Sequence, residues 1–576
     1  MKYLVPYLKK HRLESILAPL FKMLEATFDL IVPLVVARII NIGIVNQDRS
    51  YILAHVGILI LMALLGLLCS FTAQYFAAKA AIGTSTGLRH QLLQHIQQLS
   101  FSEIDRLGTS TLITRMTSDI NQVQNGLNMF LRLFLRSPFI VFGAMILAFA
   151  IDRKIALIFA VIIPVLFVIV FGIMRMTNPL YKTMQRRLDS VTASTRENLS
   201  GVRVVRAFGR EDMEMAHFEA ANSALVEMQL KAGRISAMMN PLTYVVVNIG
   251  IIAVLWMGAA KVDSGKLLSG DVIALINYIS QILVELVKLA NLVVLLGKSV
   301  ASMGRIGQIL DVKSTMTFGN TKEAEPDCKE VVRFDHVSLR YSESADEALT
   351  DISFRATRGQ TIGIIGGTGS GKSSLVSLIP RFYDATEGQV HLLGSPITDW
   401  AKDALRNRVA VVLQKAQLFA GTVRSNLLWG KENATEEEMW EALELAQAAE
   451  FVRQKPGQLD TPIEQGGRNL SGGQKQRLTI ARALITKPDI LILDDSSSAL
   501  DYATDAALRK ALRQLPKDMA VFIVSQRTSS IQHADQILVL DDGQLVGCGS
   551  HDQLLKNCQV YQEIHESLFR KEVNAK

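Results

Sequence analysis

Four cysteines in 576 residues are too few for a disulfide scaffold, and no C-x-x-C pair or histidine-rich cluster suggests a metal site. The 14 prolines and 38 glycines form no repeat, which excludes collagen-like and mucin-like chains. Charge is scarce: Asp, Glu, Lys and Arg make up 20% of the chain, against about 25% in a typical soluble protein. Hydrophobic residues reach 49%, too much apolar material for a disordered chain. Mean hydropathy is +0.24. The 61 Lys+Arg and 54 Asp+Glu leave a formal net charge of +7. That excess fits nucleic-acid binding or the basic cytoplasmic loops of a membrane protein, and its location decides between them.

The lack of charge is concentrated before residue 300. Ser50 to Ala78, Ile155 to Met174 and Ile235 to Ala260 contain no Asp, Glu, Lys or Arg, and each is long enough to cross ~30 Å of hydrocarbon as a helix. Three weaker stretches complete a set of six candidate spans. They run from Ile16 to Ile44 with Lys22, Glu25 and Asp29, from Ser137 to Ile151, short but with a helix able to extend back toward Asn128, and from Val272 to Leu296 with Glu285 and Lys288. Short links alternate with the long polar segments 80–130 and 175–234, which are helical in pattern. The second of these carries Arg175, Lys182, Arg186, Arg187, Arg196, Arg203, Arg206, Arg210, Lys231 and Arg234. The positive-inside rule therefore places the N-terminus, both long segments and everything after residue 300 in the cytoplasm of a multi-pass cell-membrane protein, with no role for nucleic acid. The apolar stretch after Met1–Arg12 is too long for a signal peptide, so the first span is expected to be retained. Cys69 in a span, and Cys328, Cys548 and Cys558 after the spans, are expected to be reduced.

Near Asp311 the texture changes. Residues 1–312 read as the membrane domain, 313–328 as a polar linker and 329–576 as a soluble α/β domain. Its short apolar runs (TIGIIG, VAVVLQ, ILILDD, AVFIVS, QILVL) have the length and composition of strands buried on both faces. Gly366-Gly367-Thr368-Gly369-Ser370-Gly371-Lys372-Ser373 fits G-x-x-x-x-G-K-[ST], after a strand and before a helix that begins with Ser373 and Ser374. In that context glycine amides and a helix N-terminus converge on phosphate oxygens. Lys372 would bridge the β- and γ-phosphates, and Ser373 would ligate Mg²⁺. ILILDD delivers Asp494 as a second Mg²⁺ carboxylate, followed by Asp495.

Leu470-Ser471-Gly472-Gly473-Gln474 lies between those two motifs, 99 residues after Lys372 and 23 before Asp494 when counted from Ser471. With it the whole chain resembles the ATP-binding cassette (ABC) family, in particular an exporter half-transporter of the type IV fold: six membrane helices fused to a cytoplasmic P-loop nucleotide-binding domain. The resemblance implies that Tyr341 stacks on adenine and that Gln414 is the Q-loop residue near Mg²⁺ and water. It also implies that Ser471, Gly472, Gly473, Gln474 and Asp501 act in trans on ATP held by a second subunit. Two cytoplasmic turns of the membrane domain resemble those that dock on the nucleotide domains: Gly108–Asp119, with Arg115 and Asp119 in an R-x-x-x-D pattern, and Glu197–Glu211.

Two departures stand out. The family usually has Glu after the second Mg²⁺ motif and His in the switch loop; this chain has Asp495 and Ser525-Gln526-Arg527. A carboxylate withdrawn by a bond length can cost about 10²-fold in rate, and Gln lacks the protonatable ring of His. Both changes would affect the ATP held by Lys372, whereas the intact signature would serve the other site. The expectation is one half of a heterodimer, with a weakly hydrolysing site here and a complete one formed with the partner. The expected cargo is a drug or other hydrophobic or amphipathic small molecule. A lipid flippase, a peptide or siderophore transporter, uptake of a metal chelate and an ATP-gated regulator are the alternatives.

Ionisable residues inside spans face a cavity or another helix rather than lipid. Asn277, Gln281, Glu285, Lys288 and Asn291 share one helical face, as do Lys22, Glu25 and Asp29. Two readings stay open: a polar path drawing cationic amphiphiles to Glu25, Asp29 and Glu285, or helix pairing such as Lys22–Glu25 and Glu285–Lys288.

Overall fold

The structure is a computed structural model. It describes residues 2–325, 328–342, 346–496, 500–513, 515–516 and 518–574, without the side chains of residues 502 and 568–574. The chain forms two compact units, Met1–Gln97 with Gly108–Val312, and Gln98–Leu107 with Lys313–Lys576.

The first unit is helical. Among the described residues, six helical stretches are long and apolar enough to cross a membrane: Arg12–Ile44, Arg49–Gln98, Thr109–Ile151, Arg153–Ser200, Glu211–Asp263 and Ser269–Leu310. The uncharged stretch inside Arg49–Gln98 is only part of a 50-residue helix, roughly 75 Å long at 1.5 Å per residue. Each apolar span therefore continues as helix well beyond ~30 Å of hydrocarbon. Helix starts follow local chemistry: Asp152, in extended conformation, accepts from the Ile155 amide at 2.9 Å and caps the helix Arg153–Ser200. Large apolar side chains from several helices, among them Phe159, Leu166, Val254, Leu275, Tyr278 and Ile282, form the core. Tyr278 is buried, so its hydroxyl needs a partner, and it donates to the Leu30 carbonyl at 2.8 Å.

The second unit is built on a six-stranded sheet in the order Gln544–Gly549, Gln536–Asp541, Thr361–Gly366, Ala520–Val524, Ile490–Asp494, Val409–Val412. Gln544–Gly549 pairs antiparallel at one edge; the other pairings are parallel. Parallel strands need cover on both faces, which explains why Ile362, Ile364, Ile490, Ile492, Phe522 and Leu538 are buried in one cluster and Leu491, Leu493 and Val521 in another. An antiparallel sheet of Leu349–Thr357, Glu330–Leu339, Glu387–Leu392 and Ser395–Pro396 lies in the same unit. Because Thr361–Gly366, Ala520–Val524, Ile490–Asp494 and Val409–Val412 run in parallel, their C-terminal ends share one edge. In open parallel sheets that edge is where ligands bind.

Candidate functional site

Four loops leave that edge. Gly366 ends its strand where a Cβ would meet the Leu540 carbonyl oxygen at 2.1 Å, so only glycine fits. Gly371 has φ +91° immediately before the helix Lys372–Leu378, in the left-handed region that favours glycine. Between them the loop turns back on itself. The Lys372 ammonium donates to the Gly366 carbonyl at 3.0 Å and also to the Gly367 carbonyl. Burial lowers the Lys372 pKa, while Asp495 and Asp494 act to raise it. Gly367, Thr368 and Gly369 are exposed and Ser370 is buried.

The Ser373 hydroxyl donates to Asp494 Oδ1 at 3.1 Å. Burial raises the Asp494 carboxyl pKa; the Ser373 hydrogen bond opposes it. A buried carboxylate beside a hydroxyl, both oxygen donors, with burial disfavouring its charge, fits a hard divalent cation such as Mg²⁺. Asp495 follows at φ +45°, a rare conformation for a non-glycine residue that Asp tolerates better than most. Its amide donates to the Val524 carbonyl at 3.1 Å, and Gln414 Nε2 donates to its carboxylate at 3.3 Å. Burial raises the Asp495 pKa as well. Val524 lies in register with Asp494, so Gln526, two residues beyond that strand, is delivered to the same edge with its side chain exposed.

The structure thus brings together Gly366–Ser373, Gln414, Asp494, Asp495 and Gln526. Tyr341 joins them from just beyond the strand Glu330–Leu339: its hydroxyl donates to Ser374 Oγ at 2.9 Å, and the residue is 46% exposed. The signature stays separate. Ser471 caps the helix Gly472–Leu484 in a reciprocal box with Gln474, and among the described residues no hydrogen bond joins Ser471–Gln474 to the phosphate loop. Asp501 caps the helix Tyr502–Leu512 by accepting from the Thr504 amide at 2.9 Å. Residues 497–499 of SSSALD lie outside the described residues.

The chain matches the family described as "ABC transporter transmembrane region" over residues 15–286 and the one described as "ABC transporter" over residues 349–498. It is 36% identical over 575 residues, 99% of each chain, to the "Uncharacterized ABC transporter ATP-binding protein YfiB" of Bacillus subtilis (strain 168). The chain belongs to the ABC transporter family. The same organism's "Putative multidrug export ATP-binding/permease protein YgaD" is 31% identical, covering 99% of this chain and 98% of that one. In fold, this ABC transporter chain matches a bacterial Atm1-family ABC exporter solved with ATP bound, with TM-score 0.78 and 23% identity, over 97% of this chain and 98% of that chain. It is a multi-pass membrane protein with an ATP-binding domain, and its chemistry is ATP hydrolysis coupled to transport. With one membrane domain and one nucleotide domain, the ABC chain is a half-transporter.

The segment from the first unit's region of sequence that packs within the nucleotide-binding unit is the helix Phe101–Leu107, just before Gly108. The Phe101 ring lies 4.7 Å from that of Phe382. Buried Glu103 accepts from the Thr315 hydroxyl at 2.7 Å and the Ser100 amide at 2.9 Å. Burial alone would raise its pKa, but hydrogen bonds from Ser100 and Thr315 outweigh that and hold it below the usual range. Gly108–Asp119 belongs to the membrane unit, where buried Asp119 pairs with Arg115 at 2.9 Å and also with Arg305. The R-x-x-x-D spacing therefore marks an i,i+4 ion pair, whereas the aromatic contact of Phe101 has no sequence signature.

Sequence reasoning also missed Tyr383. Its hydroxyl donates to Asp105 Oδ2 at 2.6 Å, and its ring meets Tyr341 edge-on at 4.9 Å. Burial, reinforced by Asp105, pushes its pKa up. Ser374, Tyr341, Tyr383 and Asp105 form one contact chain from the phosphate-loop helix to Phe101–Leu107. Tyr383→Phe removes only the Asp105 bond. Transport per ATP hydrolysed is expected to fall about 2- to 30-fold, the size of typical coupling perturbations, with ATP affinity retained. Parallel ATPase and vesicle-uptake assays check this.

Proposed function

We propose that this chain is one half of a heterodimeric exporter of amphipathic molecules, in which the ATP held by its own phosphate loop is hydrolysed slowly. The observation that carries the reading is the pairing of a complete phosphate-loop edge with Asp495 and Gln526, while the N-terminus of the signature helix, with Ser471 and Gly472 exposed, stands apart. Tyr341 would stack on the base; Gly366–Gly371 amides, Lys372 and Ser374 would hold the phosphates. Mg²⁺ would sit at Ser373, Asp494 and Gln414, where it would neutralise β- and γ-phosphate charge. Asp495 occupies the position of the water-orienting carboxylate. Its raised pKa and short side chain make it a poor orienting group at that position, and Gln526 offers a hydrogen bond without a titratable proton. Ser471 and the amides of Gly472, Gly473 and Gln474, with Asp501, would complete the site on the partner's nucleotide. A relative named for multidrug export supports an amphipathic cargo, and the basic long segments support a cytoplasmic nucleotide domain.

The test is ATP-driven uptake of a fluorescent amphiphile into inside-out vesicles holding the assembled transporter. Uptake dependent on hydrolysable ATP is expected. Uptake that proceeds equally with a non-hydrolysable analogue would overturn the reading.

A further inference from the structure

The charged groups of the membrane unit form a network around a residue that the sequence did not single out. Arg136, with its side chain 10% exposed, donates from Nη1 to Glu285 at 2.5 Å and from Nη2 to Asp29 at 2.9 Å. Glu285 also accepts from Ser137 at 2.8 Å and Lys288 at 2.9 Å. Lys22 pairs with Glu25 at 2.5 Å and donates to Ser70 at 3.1 Å. Glu25, Asp29 and Glu285 are thus matched by Lys22, Arg136 and Lys288. The path for cationic amphiphiles through these carboxylates is not what the structure shows; they are already neutralised, and the pairing reading holds.

A nearby cation, Arg132, takes no part in these pairs. Arg132 lies near the end of the helix Ile120–Leu133, and Arg136 opens the next helix, Arg136–Ile151, two turn residues later; among the described residues Arg132 has no ion pair. Its Nε is buried without a hydrogen-bond partner, and so are Asn128 Oδ1, one turn earlier, Arg136 Nε and, on the helix Ser269–Leu310, Gln281 Oε1. Gln281 belongs to the same cluster, since its Nε2 donates to the Asp29 carbonyl at 3.1 Å. Buried polar groups are normally satisfied, and a charged donor left unmet is costly. Here the unmet groups of Asn128, Arg132 and Arg136 flank the junction of two successive helices, beside a charge-matched network to which Arg132 adds one positive charge. Exposed Met129, Phe134 and Leu135 flank them with apolar surface.

We propose that Asn128, Arg132 and Arg136 form a binding site for the head of an anionic amphiphile, a single carboxylate or phosphate on an apolar tail. This narrows the substrate class of the export reading above and rests on that reading only for transport, not for binding. Arg132 supplies the charge and the free N–H donors, Asn128 a further hydrogen bond, and Arg136 the Nε–H that its carboxylate partners leave unused.

The experiment is equilibrium binding, without nucleotide, to the full-length transporter in phosphatidylcholine nanodiscs. The probes are dodecanoate, dodecyl phosphate and dodecyltrimethylammonium. The anions are expected to bind more tightly than the cation. Arg132→Gln should weaken the anions at least about tenfold, Arg132→Lys should retain most of the affinity, and Arg132→Glu should reverse the preference. Asn128→Asp places a carboxylate one turn from Arg132, a spacing that stabilises helices; it should lower anion affinity with the thermal midpoint unchanged. Repeating the titration in phosphatidylglycerol nanodiscs separates two sources of the anion: competition there identifies a lipid phosphate, and undiminished binding a free amphiphile. Equal affinity for cation and anion, or anion binding unmoved by both Arg132→Gln and Asn128→Asp, would overturn the site. Binding that holds while ATP-driven uptake fails would refute export and leave the site standing.

Discussion

Replacing Ser471 with arginine is expected to cut ATP turnover of the assembled transporter by at least about 10²-fold, while Asp495→Asn changes it by less than about threefold. The contrast follows from where the two residues sit. Ser471 lies at the exposed N-terminus of Gly472–Leu484, with its hydroxyl accepting from the Gln474 amide. A phosphate meeting that end gains backbone donors and the helix dipole. Removing a donor aimed at developing charge typically costs 10²–10³-fold, and arginine adds bulk where the phosphate must approach. Asp495 is held in a left-handed conformation by Gln414 and by the hydrogen bond from its own amide to the Val524 carbonyl. If the site it serves contributes little turnover, converting its carboxylate to an amide removes little. Steady-state ATPase assays of the two variants, normalised to nucleotide bound, decide the matter. Comparable losses from both would show that this chain's own site hydrolyses ATP as fast as its partner's.

Arg136→Leu is expected to destabilise the membrane unit by about 3–5 kcal/mol, the usual cost of removing one member of a buried ion pair. Most of that would come from what is left behind. Glu285, with its side chain 4% exposed, would keep Lys288 and Ser137 but lose its shortest bond, and Asp29 would lose its ion-pair partner. Adding Asp29→Asn to Arg136→Leu removes one stranded charge and should recover part of the loss; that partial recovery separates charge imbalance from simple cavity formation. Thermal unfolding in a single detergent measures both. A single-variant cost below about 1 kcal/mol would mean that water already screens the cluster.

The nucleotide edge was legible because its parts are contiguous. The phosphate loop, ILILDD and LSGGQ each carry their chemistry in a few consecutive residues, and a parallel sheet places strand ends together once its strands are recognised. The spans were legible because hydrocarbon imposes a length and excludes charge. The packing of Phe101–Leu107 was not: Phe101 and Asp105 meet Phe382 and Tyr383 across about 280 residues of chain. No local period reports such a contact.

For this protein the sequence alone determined the family, the six spans, the ATP-binding motifs and the two departures at Asp495 and Gln526, since these are properties of residue type and short spacing. Tertiary structure alone decided which charges are spent. The sequence left Glu25, Asp29 and Glu285 open between a polar path and helix pairing, because Arg136, which meets Asp29 and Glu285, lies on a different helix, and Arg132 looks like an ordinary cation near the end of a span until its neighbours are seen to leave it unpaired. Whether a buried charge is a structural tie or a binding group depends on what lies within about 4 Å of it, and that distance is set by the packing of helices far apart in the chain.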